Sequence, residues 1–499
     1  MCACKKEQPL YLLGIDTGTT NTKVGIFDLD GREIALKKSP TPSVSKPFGE
    51  AEFNPDAIWE NLTHLIKSLP ERYRRKVKAL SISSFAETVY PLDAKKRPLD
   101  NGIAWFDKRT VPQVEEVKKS FGSTAIRKIT GVSPSWVYSL NKILWFREEK
   151  PRLYEKTKLW LDNAGYIIFK LTGEKVIDYS LACRTMMFDL WQKKWSEDIL
   201  EKFHIDPATL PEPVPSGILI GKLTKKASEE TGLNRETHVV SGGHDHLCAA
   251  LSVGAIKEGK ILDSAGSAEC ILAATKKTIE KDKLVTEKNF TMARHVVKDT
   301  FCFLTGVYSG LLFNWLTHNL LKQKSYSIIN KAQFKEKSPL FIPHIAGSRT
   351  GIMSGAIFGL KDFHTREHII SSGMESIVFE VKKIVDGIEK IIDRSTSFWK
   401  VRTVGGGAKN KLLLGMKASL LEKVVEIPVI KEATCHGAAL LAGIGAGFYK
   451  DETEAVGKTF KISEVYNPDP ELSKKLKEKY SIYCKIVEKY REIEKLLPE

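Results

Sequence analysis

Twice along the chain an apolar run enters a turn of small residues and leaves as a second apolar run. The first passage is LYLLGIDTGTTNTKVGIFDLDGREIA, residues 10–35; the second is GKILDSAGSAECILAA, residues 259–274. Each reads as a β-hairpin, since short apolar stretches bounded by Gly, Thr, Ser and Asp are the pattern of strands and their turns. Gly266-Ser267 takes the place in the second passage that Gly18-Thr19 holds in the first. A theme that restarts in this way predicts two similar halves. Length agrees: the chain has 499 residues, and one core stops growing near ~250–300. An α/β chain of two domains is expected, 1–249 and 250–499.

Between these passages the periodicity changes. In NPDAIWENLTHLIKSL, Ile58, Leu62, Leu65 and Ile66 fall on one helical face. VKALSISSFAETVYPLD reads as a strand and its exit loop, and YSLNKILWFREEKPRLYEK as a helix stopped by Pro151. HVVSGGHDHLCAALSVGAI reads as strand, Gly-rich turn and helix. The second half closes with the Gly-rich VRTVGGGAKNKLLLGMKASLL and a long charged amphipathic helix.

Composition narrows the class. Hydrophobic residues make up 42% and charged residues 28%, as in an ordinary folded protein. The net charge is +16, but Lys and Arg alternate with Glu and Asp, the pattern of solvated helix faces. Neither nucleic acid nor a membrane is expected as a partner. The eight cysteines include no CxxC pair; several sit in apolar runs as small hydrophobes, and a reducing, cytoplasmic setting is expected. MCACKKEQPL lacks the apolar core of a signal peptide, so the sequons at Asn61 and Asn289 are chance matches.

Three motifs carry chemistry. The first runs from Asp16 to Lys23 between two strands. A tight Gly turn lets backbone N–H groups approach a phosphate, Thr hydroxyls add donors, and Lys23 adds positive charge. Asp16, at the strand end, suits Mg²⁺ through waters. In GGHDHLCAAL, Asp245 stands at a strand-to-helix junction, as either an N-cap or a general base. Third, Gly405, Gly406 and Gly407 precede an amphipathic helix; they offer a surface without side chains for a flat base, with Asn410 available for a polar contact.

The order and spacing of these motifs, together with GIAWFDKRT, resemble the FGGY carbohydrate kinases from about Leu12 to Tyr449. LLGIDTGTTNTK looks like the family's first phosphate motif and AWFDKR like its substrate-loop segment. NKILWFREE covers most of the first family signature. DYSLACRTMMFDL is similar to a segment of the glycerol kinase branch. GAIFGL with HIISSGMES resembles the second signature, and GGGAKNKLLLGMKASLL with EATCHGAALLAGIGAGF the adenosine end. The chain departs from the family pattern at Val137, Gly373 and Ala86-Glu87. At the last of these, glycerol kinases have Arg-Glu and xylulose kinases Met-His, which argues against glycerol and xylulose as substrates.

The resemblance implies two ribonuclease-H-like, actin-like ATPase domains with a central cleft, and transfer of the γ-phosphoryl group of ATP to a sugar hydroxyl. It makes Asp245 the general base and Asp16 the Mg²⁺-associated carboxylate. Thr19, Thr20 and Lys23 would contact phosphates, as would Gly266 and Ser267. Gly406, Gly407 and Asn410 would line the adenosine site. Glu87, Trp105, Asp107 and Arg109 would lie near the substrate, though Trp105 reads equally as core and Asp107-Arg109 as a local ion pair. With three carboxylates there and Arg109 the one cation that can be named, a neutral ketose or alditol is expected. A sugar acid (aldonate or keturonate) is the alternative. The implied partner is a small-molecule sugar, and a homodimer is compatible with the sequence.

Rival readings are weaker. Gly254 to Lys260 has P-loop spacing, but Ile261 stands where a Mg²⁺-binding hydroxyl is needed. His364-Thr-Arg-Glu367-His368 matches the H-x-x-E-H pattern of a zinc peptidase. An actin-like ATPase that binds a protein instead of a sugar is a third reading, against which AWFDKR argues.

Overall fold

The structure is a computed structural model that describes residues 10–45, 49–266, 269–287, 290–323, 325, 327–345, 354–392 and 399–496. The chain packs into two compact units. One comprises Met1–Ile256, Met292–Phe301 and Glu432–Phe460, the other Lys257–Thr291, Cys302–Lys431 and Lys461–Glu499.

The first unit is built on a six-stranded sheet: β1 (Tyr11–Thr17), β2 (Asn21–Phe27), β3 (Glu33–Pro40), β4 (Val77–Ser84), β5 (Leu219–Lys222) and β6 (His238–His244). Their order is β5-β6-β4-β1-β2-β3. The hairpin read from the sequence is present: β1 pairs antiparallel with β2, Asp16 opposite Lys23. β4 lies parallel to β1, and β6 parallel to β4. β1 is buried along its whole length, so its sequence is a continuous apolar run instead of an alternating one. The helix expected from NPDAIWENLTHLIKSL spans Pro55–Ser68 and buries Ile58, Leu62, Leu65 and Ile66. Asn54 caps it, its side chain accepting from the N–H of Ala57 at 2.8 Å. The next expected helix ends at Glu149, and Pro151 opens a second short helix instead of ending the helical path; proline at the first helical position loses no hydrogen bond.

The second unit repeats the plan. Six strands of its sheet are β7 (Lys260–Ala265), β8 (Glu269–Thr275), β9 (Phe301–Val307), β10 (Lys400–Val404), β11 (Val425–Pro428) and β12 (Ile462–Tyr466), in the order β9-β8-β7-β10-β11-β12. β7 pairs antiparallel with β8 and parallel with β10, β11 is parallel to β10, and β12 is antiparallel to β11. The two sheets therefore share one topology: an opening hairpin, a third strand outside it, two parallel strands on the other side, and an antiparallel edge. The weak repeat in the sequence is the visible part of this duplication.

The long C-terminal helix spans Pro470–Ile493. Cys183, Cys248, Cys270, Cys302 and Cys435 are buried thiols outside any disulfide; Cys2, Cys4, Asn289 and Ser267 lie outside the described residues. Among the described residues, no helix is long and apolar enough to cross a membrane.

Candidate active site

In the first unit the parallel strands β1, β4 and β6 end side by side. Asp16 and Gly243 both register with Ser83, and Thr17 and His244 with Ser84. The carboxyl ends of parallel strands are where α/β sheets bind ligands. Asp16, Glu87 and Asp245 all leave the sheet at this end. β6 carries a register shift between Val240 and Gly243, and such a bulge re-aims the residues that follow. A Cβ on Gly242 would sit 1.7 Å from the carbonyl oxygen of Ile82, so this glycine serves the close approach of β4 and β6.

The helix after β6 begins at Asp245 itself. Asp245 Oδ1 accepts from the N–H of His246 at 2.6 Å and lies 3.5 Å from His244 Nδ1. Burial pushes this carboxyl up, but His246, His244, the His246 N–H and Arg184 outweigh it and hold the pKa below the usual range. Asp245 is thus ionised and half-buried. Burial pushes His244 down to about 4, so its ring is neutral near pH 7. The backbone N–H of His244 donates to Ser180 Oγ at 2.9 Å.

Asp16 is in a different state. Burial raises its pKa to about 7, with Lys23 opposing and Asp245 and Glu432 adding to the rise. Asp16 Oδ1 is buried with no hydrogen-bond partner among the described residues. Lys23 Nζ lies 3.6 Å from Asp16 Oδ2 and 2.7 Å from Glu432 Oε2. The hairpin turn is held by Thr41, whose hydroxyl donates to the carbonyl of Gly18 at 2.6 Å. Thr20 is exposed at its tip.

Trp105 is half-exposed, so it is not core. Its Nε1 donates to Thr19 Oγ1 at 2.8 Å, which joins the AWFDKR segment to the turn between β1 and β2. Asp107 and Arg109 form the local ion pair, 2.7 Å between Nη2 and Oδ2. Arg109 also reaches Glu52 at 2.9 Å and Glu50 at 3.2 Å. Asp107 Oδ2 accepts in addition from the N–H of Ala51 at 2.8 Å. These two side chains frame the loop.

Glu87 is buried and takes a backbone φ of 71°. Its Oε1 accepts from Arg184 Nε at 2.7 Å, and its carbonyl from Lys142 Nζ at 2.9 Å and Ser139 Oγ at 3.0 Å. Arg184 and Lys142 were not singled out from the sequence. They lay inside LACRTMM and NKILW, and a buried cation among apolar neighbours has no periodic signal. Arg109, the cation that the sequence names, pairs with Asp107, and the side chain paired with Glu87 is Arg184.

In the second unit, the Gly405–Gly407 turn packs on the end of β7. Gly405 has φ 87°, and a Cβ there would meet the Ala265 carbonyl oxygen at 2.7 Å; a Cβ on Gly407 would meet the Ala265 side chain at 2.5 Å. Gly406 is exposed, with no atom closer than 3.9 Å to a Cβ. Gly266, one residue beyond Ala265, is also exposed. The two glycine motifs of this unit thus adjoin. Asn410 is buried and its side chain is committed: Oδ1 caps the helix Lys411–Leu421 through the N–H of Leu413 at 2.9 Å, and Nδ2 donates to the Ile329 carbonyl at 3.1 Å. Lys417 on that helix, wholly buried, bridges Asp263 of β7 at 2.6 Å and Glu269 of β8 at 2.8 Å.

The histidine pair fits no zinc site. His364 donates from Nε2 to the Lys337 carbonyl and accepts at Nδ1 from the Lys361 N–H, both at 2.8 Å, so both ring nitrogens are used. Among the described residues, no three His, Cys, Asp or Glu side chains are grouped to hold a metal ion.

Comparison with known proteins matches the chain to one family. Residues 11–252 match the N-terminal domain and residues 263–446 the C-terminal domain of the FGGY family of carbohydrate kinases. The chain is similar to a glycerol kinase of Thermococcus gammatolerans, 29% identical over 93% of this chain and 95% of the relative. It is 28% identical to a xylulose kinase of Bacillus subtilis over 95% and 96% of the two chains. A gluconokinase of B. subtilis is 26% identical over 91% and 92%. Among solved structures, the fold matches gluconate kinase from Lactobacillus acidophilus with a TM-score of 0.89, 21% identity, and 97% and 99% coverage. Ligand-bound xylulose kinase from the same organism matches with a TM-score of 0.88, 22% identity, and 95% and 97% coverage. The chain has the mixed α/β, actin-like ATPase fold and belongs to the FGGY family of carbohydrate kinases, ATP-using phosphotransferases with a hydroxyl group of a small-molecule sugar as acceptor.

Proposed function

We propose that this kinase phosphorylates a neutral ketose or alditol larger than glycerol, with Asp245 as general base. The observation that carries the reading is the opposite state of two carboxyls at one sheet end: Asp245 is held ionised, while Asp16 is pushed up to about 7 by burial. An ionised carboxylate accepts the proton that the sugar hydroxyl loses. A buried carboxylate oxygen without a partner fits a cation, whose charge would offset the cost of burying Asp16. Asp16 is accordingly the residue to hold Mg²⁺, which when bound neutralises charge on the migrating phosphoryl group. Thr19, Thr20 and Lys23 are assigned to phosphate oxygens, as are Gly266 and Ser267. Gly406 and Gly407 are assigned to the adenosine end, with Asn410 supporting them through its cap. Residues 1–249 and 250–499 are proposed as the two FGGY domains.

On the sugar side, Glu87 and Trp105 are the proposed contacts, and Asp107 with Arg109 the frame of their loop. Glu87 is paired with Arg184 and Asp107 with Arg109, so the charge of each cation is already offset by a carboxylate of the chain. A carboxylate such as Glu87 accepts hydrogen bonds from neutral hydroxyls. The second reading, a sugar acid, is favoured by Arg184 and Lys142 beside Glu87. ADP release across neutral ketoses, alditols, aldonates and keturonates decides between them. A ketose or alditol with the highest kcat/KM supports the proposal; an aldonate or keturonate ahead of every neutral sugar overturns it.

A further inference from the structure

The peptide at Glu87 is bent against its preference. The Thr88 N–H donates to the Ala86 carbonyl at 2.9 Å, and Glu87 between them has φ 71°. A hydrogen bond spanning two residues about a positive φ is the rare, strained form of the γ-turn. Such a conformation persists only where the surroundings over-determine it, and it clusters at ligand sites. Here the surroundings can be named. Lys142, wholly buried in the helix Ser139–Glu149, donates to the Glu87 carbonyl at 2.9 Å and to the Val137 carbonyl at 3.0 Å. Ser139, on the same helix, donates to the Glu87 carbonyl at 3.0 Å. The carboxylate end of Glu87 is clamped separately by Arg184.

A buried ammonium is costly unless it is paired, yet the hydrogen bonds of Lys142 go to two carbonyls. Burial pushes its pKa down to about 7. An apolar residue of the same length would fill the slot without that cost. What an apolar residue could not do is hold two backbone oxygens at once, one in the γ-turn and one at Val137.

We infer that Lys142 is a positioning residue for the acceptor site: with Ser139 it fixes the γ-turn at Glu87 and so sets the direction in which the Glu87 carboxylate meets the sugar. The inference rests on the reading that Glu87 faces the sugar. Lys142 touches neither substrate nor nucleotide in this role, and it acts through Glu87.

The test is a double-mutant cycle of Lys142→Met and Glu87→Gln, using whichever of glycerol, D-xylulose and D-gluconate the wild-type enzyme phosphorylates fastest. Lys142→Met is expected to raise the sugar KM about 10-fold or more while the ATP KM stays within about 2-fold. In the Glu87→Gln background the same change should add little, since residues acting through one contact are not additive. Equal rises in both KM values, or full additivity, overturn the inference. If Glu87→Gln alone leaves the sugar KM unchanged, the reading of Glu87 fails instead. A crystal structure of Lys142→Met then decides about Lys142: Glu87 still at positive φ overturns its role, and a relaxed turn supports it. Should Lys142→Met not fold, Ser139→Ala takes its place, with a smaller rise in sugar KM expected and no rise overturning the inference.

Discussion

Arg184 Nε donates to Glu87 Oε1 at 2.7 Å, in a pair where both side chains are buried. The two residues are far apart in sequence, and neither motif hints at the other. Their pairing changes the charge of the proposed acceptor side from three open carboxylates to two compensated ones and Asp245.

Removing one partner of such a pair leaves an uncompensated buried charge. Arg184→Met should therefore lower stability by about 3–5 kcal/mol, whereas replacing both Arg184 and Glu87 with apolar residues should recover most of that loss. Denaturant unfolding of the three variants checks this. A single substitution without effect would mean that the pair is solvated.

Asp16→Ala should raise the Mg²⁺ concentration needed for half-maximal activity, with the sugar KM little changed. The motive is the buried, unpartnered Oδ1. Titration of activity with Mg²⁺ at saturating sugar measures it, and an equal loss of sugar affinity would point to general misfolding.

Gly406→Leu should raise the ATP KM and leave that for sugar nearly unchanged. Space above Gly406 is open, with the Ala265 carbonyl 3.9 Å from a Cβ placed there, so a leucine would fold without clash and fill the proposed adenosine surface. A change in the sugar KM alone would move the adenosine end elsewhere.

Stability should fall as pH rises from 4 to 7 in part because of Asp162. This carboxyl caps the helix Asn163–Thr172 through the Gly165 N–H at 3.2 Å. Burial, reinforced by Asp178, raises its pKa to about 7. The folded state thus binds this proton more tightly than the unfolded state. The contribution is fully present below the unfolded value near 4 and is lost as pH climbs to about 7. Asp162→Asn keeps the cap and cannot ionise, so it should flatten the pH 4–8 stability profile by about 2–4 kcal/mol. Urea unfolding at several pH values gives the profile, and an unchanged slope would contradict the assignment.

The hairpins at Asp16 and Asp263, the helix over 55–68 and the junction at Asp245 were legible because each rests on local pattern: apolar period, turn residues and a cap. The doubling of the fold was half legible, since its hairpins leave a motif while the order β4, β6 beside β1 leaves none. Asn410 read as a free polar group because an N-cap and a ligand contact look alike in sequence; its bond to the Ile329 carbonyl is a tertiary fact. Trp105 reads as core or site from sequence alone, and its bond to Thr19 depends on a contact between distant segments. Arg184, Lys142 and Lys417 were invisible for one reason. A buried cation is defined by partners brought from elsewhere in the chain, and local pattern does not record them.

Asp245 is proposed to take the proton of the attacking hydroxyl. Its most direct test is turnover by Asp245→Asn, measured as ADP release with the best sugar, beside ATP affinity of the same protein by calorimetry. A fall in kcat of about 10²–10⁴-fold is expected, with the ATP Kd unchanged. Near-normal turnover with intact ATP binding would contradict it and leave Asp245 as the first residue of a helix and nothing more.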